Sequence, residues 1–172
     1  MMDVTYPPAF EAAFRTVIGV EGKFTVDAGG PTMYGITERV ARAAGYAGAM
    51  QALPLSLAHD IYYRSYWAPA GCGNFSGVLP TLLFDAAVNQ GPQTAIELLQ
   101  EAVGVTTDGR IGPATLEAVA HNSEVTPLFL MRRTFRYIGT AGWSDDGPGW
   151  IKRLFTVAIS AAISTLSPGA PS

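Results

Sequence analysis

The chain has few of the residues that form disulfides or ligate metals. Its 172 residues include one cysteine, Cys72, and two histidines, His59 and His121. A single cysteine excludes an internal disulfide and a thiolate cluster within one chain. The histidines are far apart and have no cysteine or HExxH companion, so we expect no histidine-based metal site. Cys72 is expected to be a small buried residue.

Strong charge of one sign and long hydrophobic runs are also absent. With 11 basic and 14 acidic residues the net charge is −3, which argues against a duplex-DNA binder. No apolar run reaches the ~18 residues of a membrane span, so no stable membrane insertion is expected. The N-terminal sequence, MMDVTYPPAFEAAF, lacks the basic start and apolar core of a classical signal peptide. We therefore expect synthesis in the cytoplasm, with any release by another route.

What the sequence does contain is helical periodicity, interrupted by one short β-prone segment. Phe10, Phe14, Val17 and Ile18 share one helical face, and Gly19 and Gly22 bracket the expected helix end. The stretches 24–26 and 32–34 flank a Gly-Gly pair and predict a small β-hairpin or an extended loop. Further helices are predicted over 37–44, 56–67, 79–89, 92–103, 113–120, 126–138 and 150–166, with a turn over 145–148 before the last one.

Glu21 stands at the C-terminal end of the first predicted helix, beside Gly22, and is a candidate general acid. The carbonyl groups at a helix C-terminus carry partial negative charge, and an apolar cleft would desolvate the carboxyl group. Both effects would raise the pKa of Glu21 and keep a proton available near neutral pH, as the general acid of a glycosidase requires. The alternative on local grounds is a solvent-exposed glutamate at a helix end.

Asp27 and Thr32 lie in the predicted hairpin, where they are candidates for holding a water molecule. Inversion at a sugar requires carboxyl groups about 6.5–9.5 Å apart, whereas a covalent retaining route requires about 5–5.5 Å. A carboxylate at Asp27 and a hydroxyl at Thr32 suit the inverting role. The local alternatives are a turn aspartate bonded to its own backbone and a threonine that reflects only β propensity.

Two further residues are candidates for substrate binding. Tyr34 shares the hairpin with Thr32, and aromatic rings can pack against sugars. Asn89 ends a predicted helix, where it either bonds an N-acetyl group or sugar hydroxyl or caps the helix. Asp85, between apolar neighbours, is expected to bond a buried backbone group or an arginine. A solvated helix face is the interpretation of the basic cluster Arg132, Arg133 and Arg136.

Four segments carry recognisable motifs. They are EG with DAGGPTMYGIT over 21–37, YYRSYW over 62–67, FDAAVNQGP over 84–92, and LQ at 99–100 with DGRIGPATL over 108–116. In order, and over residues 10–155, these segments resemble glycoside hydrolase family 108, the N-acetylmuramidases of phages and bacteria. The last segment is similar to the family's peptidoglycan-binding part.

The resemblance implies a mainly α, lysozyme-like α+β fold, a helical bundle with one small β-hairpin at the active site. It implies cleavage of the β-1,4 bond from N-acetylmuramic acid to N-acetylglucosamine in peptidoglycan glycan strands, without a metal or organic cofactor. By position, Glu21 corresponds to the family's catalytic glutamate. Asp27 and Thr32 follow by analogy with the Glu, Asp, Thr order of phage lysozymes.

The resemblance also implies an organisation and a setting. Residues 1–91 would form the catalytic lysozyme-like part, residues 92–166 a helical peptidoglycan-binding-like part packed on it, and residues 167–172 a loose tail. We expect a monomer that binds no nucleic acid. A phage or prophage endolysin, made in the bacterial cytoplasm and released by holin-type or other non-classical means, fits best. A secretion-linked bacterial muramidase is the alternative.

Two departures from the family pattern leave other functions open. Lys23 replaces the second glycine of the family's E-G-G triplet, and the loop from Glu21 to the Gly-Gly pair is shorter than usual. A lysine directed at the acid would lower the pKa of Glu21, but we expect Lys23 to point to solvent or to anionic wall groups. The alternatives are a lytic transglycosylase using Glu21 alone, or a non-catalytic cell-wall-binding protein.

Overall fold

The computed structural model describes residues 5–19, 24–27 and 30–166, and these residues form a helical bundle with one small sheet. The mainly α expectation is confirmed. The strands are β1 (Thr25–Asp27), β2 (Gly30–Met33) and β3 (Ile36–Thr37). The helices are α1 (Pro8–Ile18), α2 (Glu38–Ala43), α3 (Leu55–Tyr62), α4 (Leu79–Gln90), α5 (Pro92–Val103), α6 (Pro113–Ala120), α7 (Val125–Ile138) and α8 (Trp143–Leu166).

Helix α1 forms as its sequence pattern predicts. Its buried face includes Phe10 and Phe14, and the Phe10 ring packs edge-on against Trp67 and Phe84, with centroids 5.5 and 5.8 Å away. The helix ends at Gly19, which has a φ of +79° and donates its N–H to the carbonyl of Arg15. Side chains avoid this conformation, so glycine suits the end of the helix.

Helix α4 lies at the centre of the bundle. Its residues from Leu79 to Ala87 are all buried, and the helix packs against α1, α5 and α8. Gly91, with a φ of +91°, ends α4, and Pro92 begins α5, as predicted. The helices after residue 91 thus contact the core formed by the earlier ones, while the division into two functional parts remains a prediction.

The β element is larger than the single hairpin predicted. Three antiparallel strands lie in the order β1–β2–β3, and Tyr34 occupies a turn rather than a strand. Tyr34 and Gly35 have φ values of +53° and +75°, and Met33 pairs with Ile36. Positive φ at both central residues is typical of a two-residue type I′ turn, which starts a second hairpin.

The predicted turn over 145–148 is wrong, because these residues lie inside α8, which starts at Trp143. Two causes favour the longer helix. Asp145 and Asp146 lie in its first turn, where negative charge is stabilising. Gly147 is buried against Trp143. There is no room for a side chain at this position, because a Cβ would lie 2.5 Å from the indole. Pro148 lacks an N–H, so the helix loses one hydrogen bond there.

The last five residues of the predicted 56–67 helix have a different geometry. Residues Tyr63–Trp67 form a π-helical segment after α3, and the N–H of Ala68 bonds to the carbonyl of Tyr63 five residues earlier. Cys72 is buried as expected, and burial raises the pKa of its thiol. In the described part of the chain, no helix is long and apolar enough to cross a membrane.

Candidate active site

Glu21, the predicted general acid, belongs to residues 20–23, which lie outside the described residues. The described residues end at residue 19 before it and resume at residue 24 after it. α1 ends at Ile18, three residues before Glu21, and β1 begins at Thr25, four residues after it. The role of Glu21 remains a prediction. The loose tail predicted over 167–172 also lies outside the described residues and stays a prediction.

The sheet register places Asp27 and Thr32 at neighbouring positions. Asp27 pairs with Gly30 and Thr25 pairs with Thr32 between β1 and β2. Because paired residues share a face and side chains alternate along a strand, positions 27 and 32 fall diagonally on one face. Thr32 also pairs with Thr37 of β3, so three threonine positions form a row across the sheet.

Tyr62 of α3 holds the turn that carries Tyr34. Its hydroxyl donates a 2.9 Å hydrogen bond to the carbonyl of Tyr34. A Cβ at position 35 would lie 2.7 Å from that hydroxyl. Glycine at this position therefore leaves room for the hydrogen bond between Tyr62 and Tyr34. Burial raises the pKa of Tyr62, so its hydroxyl remains a protonated donor at neutral pH. α3 thereby fixes the position of the hairpin that contains Thr32.

Replacing Tyr62 by phenylalanine is expected to remove about 1 kcal/mol from the free energy of unfolding, the typical contribution of one hydrogen bond. The midpoint of thermal unfolding should fall by about 2–4 °C. The control is Tyr63→Phe, because the Tyr63 hydroxyl has no hydrogen-bond partner among the described residues. Equal midpoints for the Tyr62 variant and the wild type would contradict an anchoring role for this bond.

A buried ion cluster centres on Asp85 of α4. The carboxylate is fully buried and accepts hydrogen bonds from Nε and Nη2 of Arg153, at 3.0 and 2.8 Å. Nη2 of Arg133 lies 2.8 Å from its other oxygen. The expectation that Asp85 bonds an arginine is therefore confirmed. The expectation of a solvated basic face is wrong for Arg133, which is fully buried because Asp85 lies opposite it, whereas Arg136 is exposed.

The ion cluster leads to Asn89 through Tyr137 of α7. Nη2 of Arg133 donates to the Tyr137 hydroxyl at 2.9 Å, and this hydroxyl lies 3.0 Å from Oδ1 of Asn89. A guanidinium only donates hydrogen bonds, so the Tyr137 hydroxyl accepts one from Arg133 and donates one to Oδ1 of Asn89. Asn89 therefore bonds to α7, and within the described residues its Nδ2 makes no capping hydrogen bond to a carbonyl of its own helix.

Asn89 also lines an open cleft of about 390 Å³ between the end of α4 and helices α7 and α8, here called the Asn89 cleft. The rings of Tyr137 and Trp150 lie 5.5 Å apart at 33° in its wall. The complete lining is Asn89, Gln90, Arg136, Tyr137, Thr140 and Trp150. Across the described residues, no group of three or more His, Cys, Asp or Glu side chains is placed to hold a metal ion.

Three of the residues that organise this region were not identified from the sequence. Tyr62 was only part of an aromatic motif, and Arg153 and Tyr137 carried no signal of their own. An aspartate inside an apolar helix does indicate an arginine partner, but it does not indicate which arginine. These contacts join positions 48 and 68 residues apart, which spacing along the chain cannot reveal.

The comparisons with known proteins bear on this region. Residues 14–91 match the family model Glycosyl hydrolase 108. The matched segment contains the last five residues of α1, the sheet, and helices α2, α3 and α4. It indicates a peptidoglycan hydrolase of the glycosyl hydrolase type.

A solved structure extends the similarity beyond residue 91. The chain is similar to the structure of SagA from Brucella abortus, with a TM-score of 0.79 and 28% sequence identity. The similarity covers 92% of this chain and 97% of that one, so it includes helices that the family model does not match. It supports the lysozyme-like, mainly α fold. No curated protein sequence matches the chain.

Proposed function

We propose that the protein is an N-acetylmuramidase that cleaves the β-1,4 bond from N-acetylmuramic acid to N-acetylglucosamine in peptidoglycan. The observation that carries this proposal is the glycosyl hydrolase 108 match over residues 14–91. That segment contains every residue proposed for the site: Glu21, Asp27, Thr32, Tyr34 and Asn89.

In the proposed mechanism Glu21 protonates the glycosidic oxygen of the leaving sugar. Asp27 and Thr32 position and activate a water molecule on the opposite face of the reacting sugar, and the product forms with inversion. Two observations support this assignment: positions 27 and 32 share one face of the sheet, and Tyr62 anchors the adjacent turn. The proposal needs no metal or organic cofactor.

The decisive experiment is the identification of products from purified peptidoglycan. The digest is reduced with borohydride and the muropeptides are analysed by mass spectrometry. Reduced N-acetylmuramic acid ends are expected from a muramidase. Reduced N-acetylglucosamine ends would instead identify a glucosaminidase, and anhydro-muramic ends a lytic transglycosylase. Binding to peptidoglycan without cleavage would identify a wall-binding protein, the alternative that Lys23 and the short loop keep open.

The proposed setting is a phage or prophage endolysin. It would be synthesised in the bacterial cytoplasm and reach the wall after holin-type or other non-classical release, acting there as a monomer. A secretion-linked bacterial muramidase is the alternative setting. Expression of the chain inside a bacterial host, with and without a holin, tests the first: lysis that requires the holin is expected, and lysis without it would contradict this route.

A further inference from the structure

We infer that the Asn89 cleft binds the acetamido group of an amino sugar, an inference that rests on the proposed function and extends the binding role of Asn89 to Gln90 and Trp150. The cleft lies between α4, α7 and α8, so half of its lining comes from helices beyond the family match. Its walls offer a hydrogen-bond donor, an acceptor and an aromatic surface.

The donor is the side-chain amide of Asn89. Tyr137 receives a hydrogen bond from the buried Arg133 and therefore donates to Oδ1 of Asn89. This chain of donors fixes the orientation of the amide, so that Nδ2 is directed away from Tyr137. Within the described residues Nδ2 has no partner, and Asn89 is exposed. A carbonyl oxygen in the cleft is the matching ligand group.

The acceptor is Oε1 of Gln90, which is buried and has no hydrogen-bond partner among the described residues. A buried carbonyl oxygen without a donor is destabilising. A rotation of the Gln90 side chain that meets a ligand N–H would remove that cost. Asn89 and Gln90 together therefore suit a secondary amide, which presents one carbonyl oxygen and one N–H.

The aromatic wall favours a sugar as the source of this amide. The indole of Trp150 is half-buried and is tilted 33° from the ring of Tyr137. Aromatic faces pack well against the apolar C–H face of a pyranose ring, and an acetamido sugar presents that face next to its amide. Peptidoglycan contains secondary amides in its stem peptides as well, so the experiment must separate the two sources.

The test measures binding of three probes to the full chain by NMR. The probes are tri-N-acetylchitotriose, its fully de-N-acetylated form and a soluble stem peptide. The chain has three tryptophans, and the indole N–H signal of Trp150 is assigned with a Trp150→Phe variant. The acetylated trimer is expected to shift that signal and to bind about tenfold more tightly than the deacetylated trimer, the equivalent of one or two hydrogen bonds.

Two nearly isosteric variants identify the groups involved. Asn89→Asp keeps the oxygen that Tyr137 bonds but removes the donor, and Gln90→Met removes the acceptor. Each should abolish most of the preference for the acetylated trimer without changing the thermal midpoint by more than a few degrees. Gln93→Ala, an exposed amide on α5 bonded to Glu97, is the matched control and should leave the preference unchanged.

Several outcomes would overturn the inference. Equal binding of the two trimers, binding that does not perturb Trp150, or no binding of the acetylated trimer would each do so. Stem-peptide binding abolished by the same variants would assign the cleft to peptide instead of sugar. The proposed function fails separately, if the wild type releases no reduced N-acetylmuramic acid ends from peptidoglycan.

Discussion

Replacing Glu21 by glutamine is expected to slow peptidoglycan cleavage by a factor of about 10²–10⁴, the usual contribution of general acid catalysis. Glutamine has nearly the same shape but carries no transferable proton, so the leaving sugar departs as an unstabilised alkoxide. The release of muropeptides from purified peptidoglycan measures the rate. Because the substitution changes one atom of the side chain, binding to insoluble peptidoglycan should remain at the wild-type level.

The matched control is Glu101→Gln, an exposed glutamate on α5. This variant should cleave at the wild-type rate, which excludes a general effect of removing one negative charge. If Glu21→Gln cleaves as fast as the wild type, another carboxylate is the acid and the assignment carried by the resemblance is wrong. A lower rate that is accompanied by weaker wall binding would contradict a purely catalytic role.

The variant Asp27→Asn tests whether the carboxylate at position 27 activates the attacking water molecule. An inverting hydrolase requires the carboxylate at position 27 to activate water, so the variant should lose most of its hydrolytic products. A transglycosylase would retain its anhydro products in this variant, since no water takes part. The two variants together therefore distinguish a water-dependent reaction from one that depends on Glu21 alone.

Local chemistry made most of the helix boundaries predictable. Gly19 ends α1, the Gly91-Pro92 pair separates α4 from α5, and Pro113 starts α6, because each residue permits or forbids a specific backbone conformation. Position 147 shows the limit of this reasoning. The Asp-Gly-Pro sequence favours a turn locally, but the packing of Gly147 against Trp143 gives a helix instead.

The candidate site shows the same division. The sequence predicted that Asp27 and Thr32 lie in a β element, and the register adds that they share a face. It did not predict the contact of Tyr62 with the Tyr34 carbonyl, because hydrogen bonds between distant helices and turns leave no periodic signal. The site's framework was therefore accessible from local patterns, and its supporting contacts were not.

Replacing Asp85 by asparagine is expected to lower the free energy of unfolding by about 3–5 kcal/mol, the usual effect of breaking a buried ion pair. The variant leaves Arg133 fully buried beside a neutral amide, and burial of an unpaired charge is strongly unfavourable. The midpoint of thermal unfolding should fall by about 10 °C. Glu38→Gln, which breaks only the exposed pair with Arg42, should change it little.

The choice of residue within the cluster decides the size of the effect. Arg133→Met removes the buried cation but leaves Asp85 bonded to Arg153, which is partly exposed and can keep the carboxylate charged. We therefore expect Arg133→Met to be less destabilising than Asp85→Asn, and a reversed order would show that Arg133 contributes by packing rather than by charge.

Arg133→Met also removes the donor that orients the Tyr137 hydroxyl, so Asn89 should lose its fixed orientation. A lower preference for the acetylated trimer in this variant, at a temperature well below its unfolding midpoint, would connect the buried cluster to the Asn89 cleft.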